Sequence, residues 1–138
     1  MDVASTTKEN ITEVLTQILE FTEQRKEILT QNISECRAAG FIPRDLPAGE
    51  FAHCMTRALA EHICRNRLLF CDTPHVRFET NGAFSVEPVA DRQALELLRN
   101  DPTNYVKKQI QKLFENTMNN RIAAQLIQQV KKKAASSR

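Results

Sequence analysis

His53, Cys54, His62, Cys64, Cys71 and His75 fall between positions 53 and 75. Imidazole nitrogen and thiolate sulfur are the donors zinc prefers. Their spacing argues against a site, because it fits no common finger or ribbon, and neighbours such as His53 and Cys54 leave a helix in different directions. Copper or iron would demand a still more particular geometry. A catalytic cysteine needs a lowered pKa and a histidine base placed by the fold. No family signature surrounds Cys36, Cys54, Cys64 or Cys71, and there is no Cys-x-x-Cys pair. We read them as reduced thiols in small apolar sites and the histidines as surface imidazoles, with no metal and no cofactor.

The carboxylate pairs are equally plain. Asp45 with Glu50 reads as loop charge, and Glu23 with Glu27 as a solvated helical face, so the chain is expected not to be an enzyme. Arg57, Arg65, Arg67, Arg77 and Lys131 to Lys133 are the candidates for phosphate contacts. Arg57 and Arg65, eight apart, could share a helix face, but stacking aromatics are absent there. With 19 basic and 17 acidic residues the net charge is only +2, too balanced for a nucleic-acid footprint across the chain.

The elements that must position these residues read as mainly helical. Three glycines, one tyrosine and no tryptophan are few for a sandwich or barrel. A content of 41 % hydrophobic residues is too apolar for wholesale disorder, and 138 residues make one domain the expectation. Ile11, Val14, Leu15, Ile18, Leu19, Thr22, Arg25, Ile28, Leu29 and Ile33 recur at spacings of three and four, which predicts a helix over about 9–36 with Thr6 or Thr7 as its N-cap. Pro43 and Pro47 make 40–47 an extended loop. A helix over about 48–69 follows, with Phe51, Met55, Ala58, Leu59, His62 and Ile63 on its apolar side. Val76 and Phe78 before Asn81-Gly82, with Phe84 and Val86 after, give a β-hairpin signal with a turn suited to Asn-Gly. A short helix is expected over 91–99. A long last one is expected over about 103–132, started by Asp101-Pro102-Thr103. Its apolar stripes are Val106, Ile110, Leu113, Thr117 and Ala124 beside Phe114, Met118, Ile122, Leu126 and Val130, a face wide enough to want more than one neighbour. The tail 131–138 reads as a basic, frayed end. If the terminal helices pair antiparallel, much apolar surface on the last one is left for other subunits.

Two stretches carry a resemblance. Arg25-Lys26-Glu27-Ile28-Leu29-Thr30-Gln31-Asn32-Ile33-Ser34, then Gly40-Phe41-Ile42-Pro43-Arg44-Asp45-Leu46 and Phe51, resembles the N-terminal signature of flagellar rod proteins. There an arginine and an apolar pair precede Asn-Ile-Ala-Asn, an Asp-Thr-Pro-Gly-Tyr loop, and a basic residue before Asp. Asn32, Ile33, Gly40, Phe41, Arg44 and Asp45 match. Glu35 replaces the second Asn, and Arg37, Ala38 and Ala39 stand where Asp-Thr-Pro is usual. Asn104, Val106, Ile110, Leu113, Glu115, Asn116, Met118 and Ala124 resemble the C-terminal pattern of the FlgB family. The centre, about 52–100, resembles nothing in it.

The resemblance implies a subunit of the proximal rod in the flagellar basal body, spanning the periplasm. Its partners would be itself, other rod or basal-body proteins, and the flagellar type III export apparatus that delivers it unfolded. Such export uses no cleaved signal peptide, in keeping with a start that lacks a basic, apolar leader. No run approaches the roughly 20 apolar residues of a membrane span, so membrane insertion is not expected, nor is a small-molecule substrate. The resemblance marks Asn32, Ile33, Gly40, Phe41, Arg44, Asp45, Asn104, Val106, Leu113, Asn116 and Met118 as subunit-interaction residues. The competing expectation is a small helical adaptor or export chaperone that binds a partner helix in an apolar groove.

Overall fold

A computed structural model describes residues 3–136. In chain order its elements are α1 (Val3–Ser34), β1 (Arg44–Asp45), α2 (Ala48–Arg65), β2 (Val76–Phe78), β3 (Phe84–Val86), β4 (Val89–Ala90), α3 (Arg92–Asn100) and α4 (Pro102–Ser136). The fold is mainly helical, with the long terminal helices packed together and two small antiparallel sheets. They run antiparallel: Asn32 meets Gln109, Thr22 meets Asn116, and Leu15 packs with Ala123.

Several boundaries differ from the sequence reading. α1 begins at Val3, so Thr7 lies inside the helix rather than capping it, and its hydroxyl donates to Asn66 Oδ1 at 3.3 Å across to the end of α2. α1 ends at Ser34, and four residues on, a turn closed by Phe41 N–H to Ala38 O passes through Gly40 at φ +74°. α2 stops at Arg65 instead of Leu69 because Asn66 takes a left-handed conformation at φ 52°, with its N–H bonded to His62 O. Asparagine is among the few non-glycine residues that tolerate this geometry. α4 runs past Lys132 to Ser136; Ser137 and Arg138 of the expected tail lie outside the described residues.

In the hairpin, Val76 pairs Val86 and Phe78 pairs Phe84. The turn is longer than a two-residue Asn-Gly turn: Glu79 N–H bonds Ala83 O, and Gly82 sits at φ +85°, the arrangement of a three-residue loop ending in a left-handed glycine. Gly82 also lies against α1. A Cβ there would collide with the Glu13 carboxylate, and its carbonyl accepts a 2.6 Å bond from Gln17 Nε2. The β1–β4 pairing, Arg44 with Ala90 and Asp45 with Val89, was not expected, since two residues carry no readable alternation. It ties the loop after α1 to the start of α3, whose N-cap Asp91 accepts from Ala94 N–H at 3.0 Å.

The apolar core lies between α1, α2 and the hairpin, formed by Val14, Phe21, Leu46, Phe51, Cys54, Met55, Ala58, Val76 and Phe84. Phe21 and Phe51 stack with centroids 4.1 Å apart, and Phe84 leans on Phe51 at 5.2 Å. The apolar residues of α1, now including Phe21 from outside the expected stripe, therefore divide in two. Val14 and Phe21 face this core, while Leu15, Ile11 and Leu19 face α4.

Candidate assembly surface

α4 is buried on a different face from the one its apolar residues predict. The buried positions are Tyr105, Gln109, Asn116, Ala123 and Ile127. Ile110, Phe114, Met118, Ile122 and Leu126, spaced by four, are exposed, Phe114 most of all at 68 %. Thus the inner face is largely polar and the outer ridge apolar. The inner face is tolerable because its polar groups find partners across the seam, which removes the main penalty of burying them.

Asn32 is the hub of that seam. Its Nδ2 donates to Arg44 O at 2.7 Å and to Gln109 Oε1 at 2.9 Å, while its Oδ1 accepts from Arg44 N at 3.1 Å. The amide thereby serves both backbone groups of Arg44, as a neighbouring strand would. Tyr105 Oη donates to Asn32 O at 2.7 Å. About two turns beyond Gln109 on α4, Asn116 Nδ2 donates to Thr22 O at 2.7 Å, and Asn120 reaches Thr22 Oγ1 and Glu23. Burial pushes the Tyr105 phenol up to about 12.

Next to the hub is a charge cluster. Arg25 grips Asp45 with two bonds, at 2.8 and 2.9 Å, so Asp45 pairs with α1 and not with its neighbour Arg44. Lys112 of α4 reaches Asp91 at 2.8 Å and Asp45 at 3.6 Å. Burial alone would raise the Asp91 pKa, but the Lys112 ammonium and the Ala94 N–H outweigh it and hold the carboxyl below its usual range. The cluster joins α1, β1, the cap of α3 and α4.

The positions singled out from the sequence separate into two groups. Asn32 and Asn116 are enclosed by the chain's own helices, and Asp45 is held by Arg25; their contacts are intramolecular. Gly40, Met118 and the side chain of Arg44 are exposed, whereas Ile33, Phe41, Asn104, Val106 and Leu113 are half-buried. Tyr105, Gln109, Lys112 and Asp91 were missed. Their signal was the run 105, 109, 112, 116, 120, 123, 127, a helical stripe visible only when polar residues are admitted to an inner face.

The histidines and cysteines do not gather. Cys54 is buried and donates to Cys71 O at 3.3 Å, while Cys64 is exposed, so the expectation of apolar thiol sites does not extend to it. His62 Nδ1 lies 3.1 Å from Asn10 Nδ2. His75 presents its backbone N–H and Nδ1 to the Glu50 carboxylate at 3.0 and 2.7 Å, so neither Glu50 nor Asp45 is simple loop charge. The Thr73 hydroxyl beside Glu50 is buried without a hydrogen bond of good geometry. It and His75 together hold the Glu50 carboxyl down to about 2.

Beside the ridge, α1, α2 and α4 frame an open groove of about 390 Å³. α1 supplies Leu15, Ile18 and Phe21, α2 supplies Ala52, Met55 and Leu59, and α4 supplies Asn116, Asn119, Ile122, Ala123 and Leu126. Its one charged lining residue, Arg25, is already neutralised by Asp45. The chain matches no family model, no curated protein and no solved structure. Among the described residues no helix is long and apolar enough to cross a membrane.

Proposed function

We propose that this chain is a non-catalytic structural subunit that assembles with copies of itself and related chains, as a proximal-rod protein of the flagellar basal body does. The observation that carries self-assembly is the ridge Ile110, Phe114, Met118, Ile122 and Leu126. A folded chain that buries glutamine and asparagine on α4 while exposing five large apolar side chains has its hydrophobic driving force still to be used outside itself. The rod placement rests on the resemblance at both ends. It is supported by the way the two resembling segments form one connected unit, with Asn32 joined to both Arg44 and Gln109. On this reading the chain is a passenger of the flagellar export apparatus. Torque would pass through packed side chains of many copies.

Cryo-electron microscopy of basal bodies purified from the source organism tests the placement. Density for this chain in the proximal rod, with α1 and α4 as paired helices, is the expected result. A complete rod without it overturns the placement.

The second reading is a helical adaptor or export chaperone, favoured by the apolar groove between α1, α2 and α4, which has the chemistry to hold one face of an amphipathic helix. An adaptor should be a discrete monomer or dimer at every concentration, whereas a rod subunit should grow.

A further inference from the structure

The groove and the most exposed part of the ridge lie on different sides of one helix. We infer that copies of this chain associate head to tail, the Ile110–Phe114 knob of one copy seating in the α1/α2/α4 groove of the next. The inference rests on the reading of the chain as an assembling subunit and specifies its contact.

Each helical residue advances the azimuth by about 100°. The groove-lining residues of α4, Asn116, Asn119, Ile122, Ala123 and Leu126, accordingly centre on a direction roughly 140° around the axis from Phe114. One flat partner cannot cover both patches. A two-fold contact uses the same patch on both copies, whereas two different patches facing different ways make a heterologous contact that repeats from copy to copy.

Charge and length point to this chain as the occupant. Lys107 and Arg121 stand seven residues to either side of Phe114 and are exposed, on nearly the same azimuth and about 21 Å apart. Pairing knob with knob about a two-fold axis at Phe114 would set Lys107 of one copy against Arg121 of the other, a like-charge contact. The groove wall on α1 runs from Leu15 to Arg25, about 15 Å. A knob laid in it places apolar side chains over apolar lining and leaves both cations beyond the ends, in water. Phe114 supplies the kind of aromatic anchor that dominates interfaces. The exposed Leu59 of α2 and Ile122 and Leu126 of α4 form the walls that would close on it.

The test is sedimentation velocity of the full-length chain over a range of concentrations, with Phe114→Asp as the knob variant and Leu59→Asp as the groove variant. Both positions are exposed, so circular dichroism should match the wild type. Ala52→Gln, which fills the groove from a position exposed on α2, serves if Leu59→Asp fails to fold. The wild type should grow beyond a dimer as concentration rises. Each variant alone should associate at least tenfold more weakly, and an equimolar mixture should stop at one-to-one pairs, because only one intact knob meets one intact groove. Several results would overturn the head-to-tail contact while leaving self-association standing: a wild type that stops at a dimer, a Phe114→Asp chain that still grows, or a mixture that stays monomeric or grows past pairs. A wild type that remains monomeric throughout overturns the assembly reading as well.

Discussion

Toward α2 and the hairpin, α1 buries Val14 and Phe21 against stacked rings and aliphatic side chains. Toward α4 it buries Thr22 and Asn32 against Gln109, Asn116 and the Tyr105 hydroxyl. The first contact draws its stability from apolar area removed from water, roughly 25 cal/mol per Å². That gain is non-directional. The second contact gains little net free energy from each hydrogen bond but penalises any misregister heavily, since each donor left alone in the seam costs its desolvation. The apolar side therefore holds the chain together, and the polar side fixes where α4 lies along α1. Because α4 is aligned by polar groups, its apolar ridge remains available on the outside.

Truncating the aromatic centre should produce the largest effect. Phe51→Ala removes the partner of both Phe21 and Phe84 and should lower stability by about 3–5 kcal/mol, as large-to-small core changes do. Chemical denaturation followed by circular dichroism would show it. Asn32→Ala comes next, because it deserts both backbone groups of Arg44 and the Gln109 amide and should cost about 2–3 kcal/mol. A hydrogen-exchange comparison separates the two regions: Asn32→Ala should expose amides near Arg44 and in the first turns of α4 while sparing α2. If α2 loosens equally, the two contacts are one cooperative unit and the contrast between them fails.

That contrast was half legible in the sequence. The α1 stripe, the prolyl loop and the Val76–Phe78 and Phe84–Val86 hairpin follow from periodicity and turn chemistry, which act locally. The inner face of α4 did not, because a hydrophobic count assigns Phe114 and Ile110 to the core before Gln109 and Asn116. It can only be reversed by knowing that Asn32 and Thr22 wait across the seam. The β1–β4 link and the Arg25–Asp45 pair failed for the same reason, being agreements between residues distant in sequence. Asn32 was singled out for a resemblance, and the structure shows it joining the Arg44 loop to Gln109 of α4.

The seam can be loosened from the alkaline side. Tyr105 is the only tyrosine and there is no tryptophan, so phenolate absorbance reports the seam alone. A phenol raised to about 12 from an unfolded value near 10 contributes stability that is fully present below pH ~10 and is lost as pH rises through ~12. Tyr105→Phe should cost about 1 kcal/mol at neutral pH, the worth of its bond to Asn32 O, and should flatten that alkaline slope. A phenol that titrates in the folded chain near 10 would mean that the seam admits water.

The apolar side carries its own switch at the opposite end of the scale, with the smallest expected effect because Glu50 is partly exposed. Its carboxyl is held at about 2 by Thr73 and His75, below an unfolded value of roughly 4.3. Its contribution is therefore present above pH ~4.3 and lost as pH falls through ~2. The bonds at stake pin the start of the hairpin, through His75, to the first turn of α2. Glu50→Gln should be slightly less stable than the wild type at pH 6 and should converge with it near pH 2, as measured by denaturant midpoints. Amides of β2 and β3 should exchange faster in the variant and those of α4 should not. Acid would then loosen the contact between α2 and the hairpin, and alkali the seam between α1 and α4, which requires that the two be held by separate groups; an acid transition that releases α4 together with the hairpin would contradict that separation.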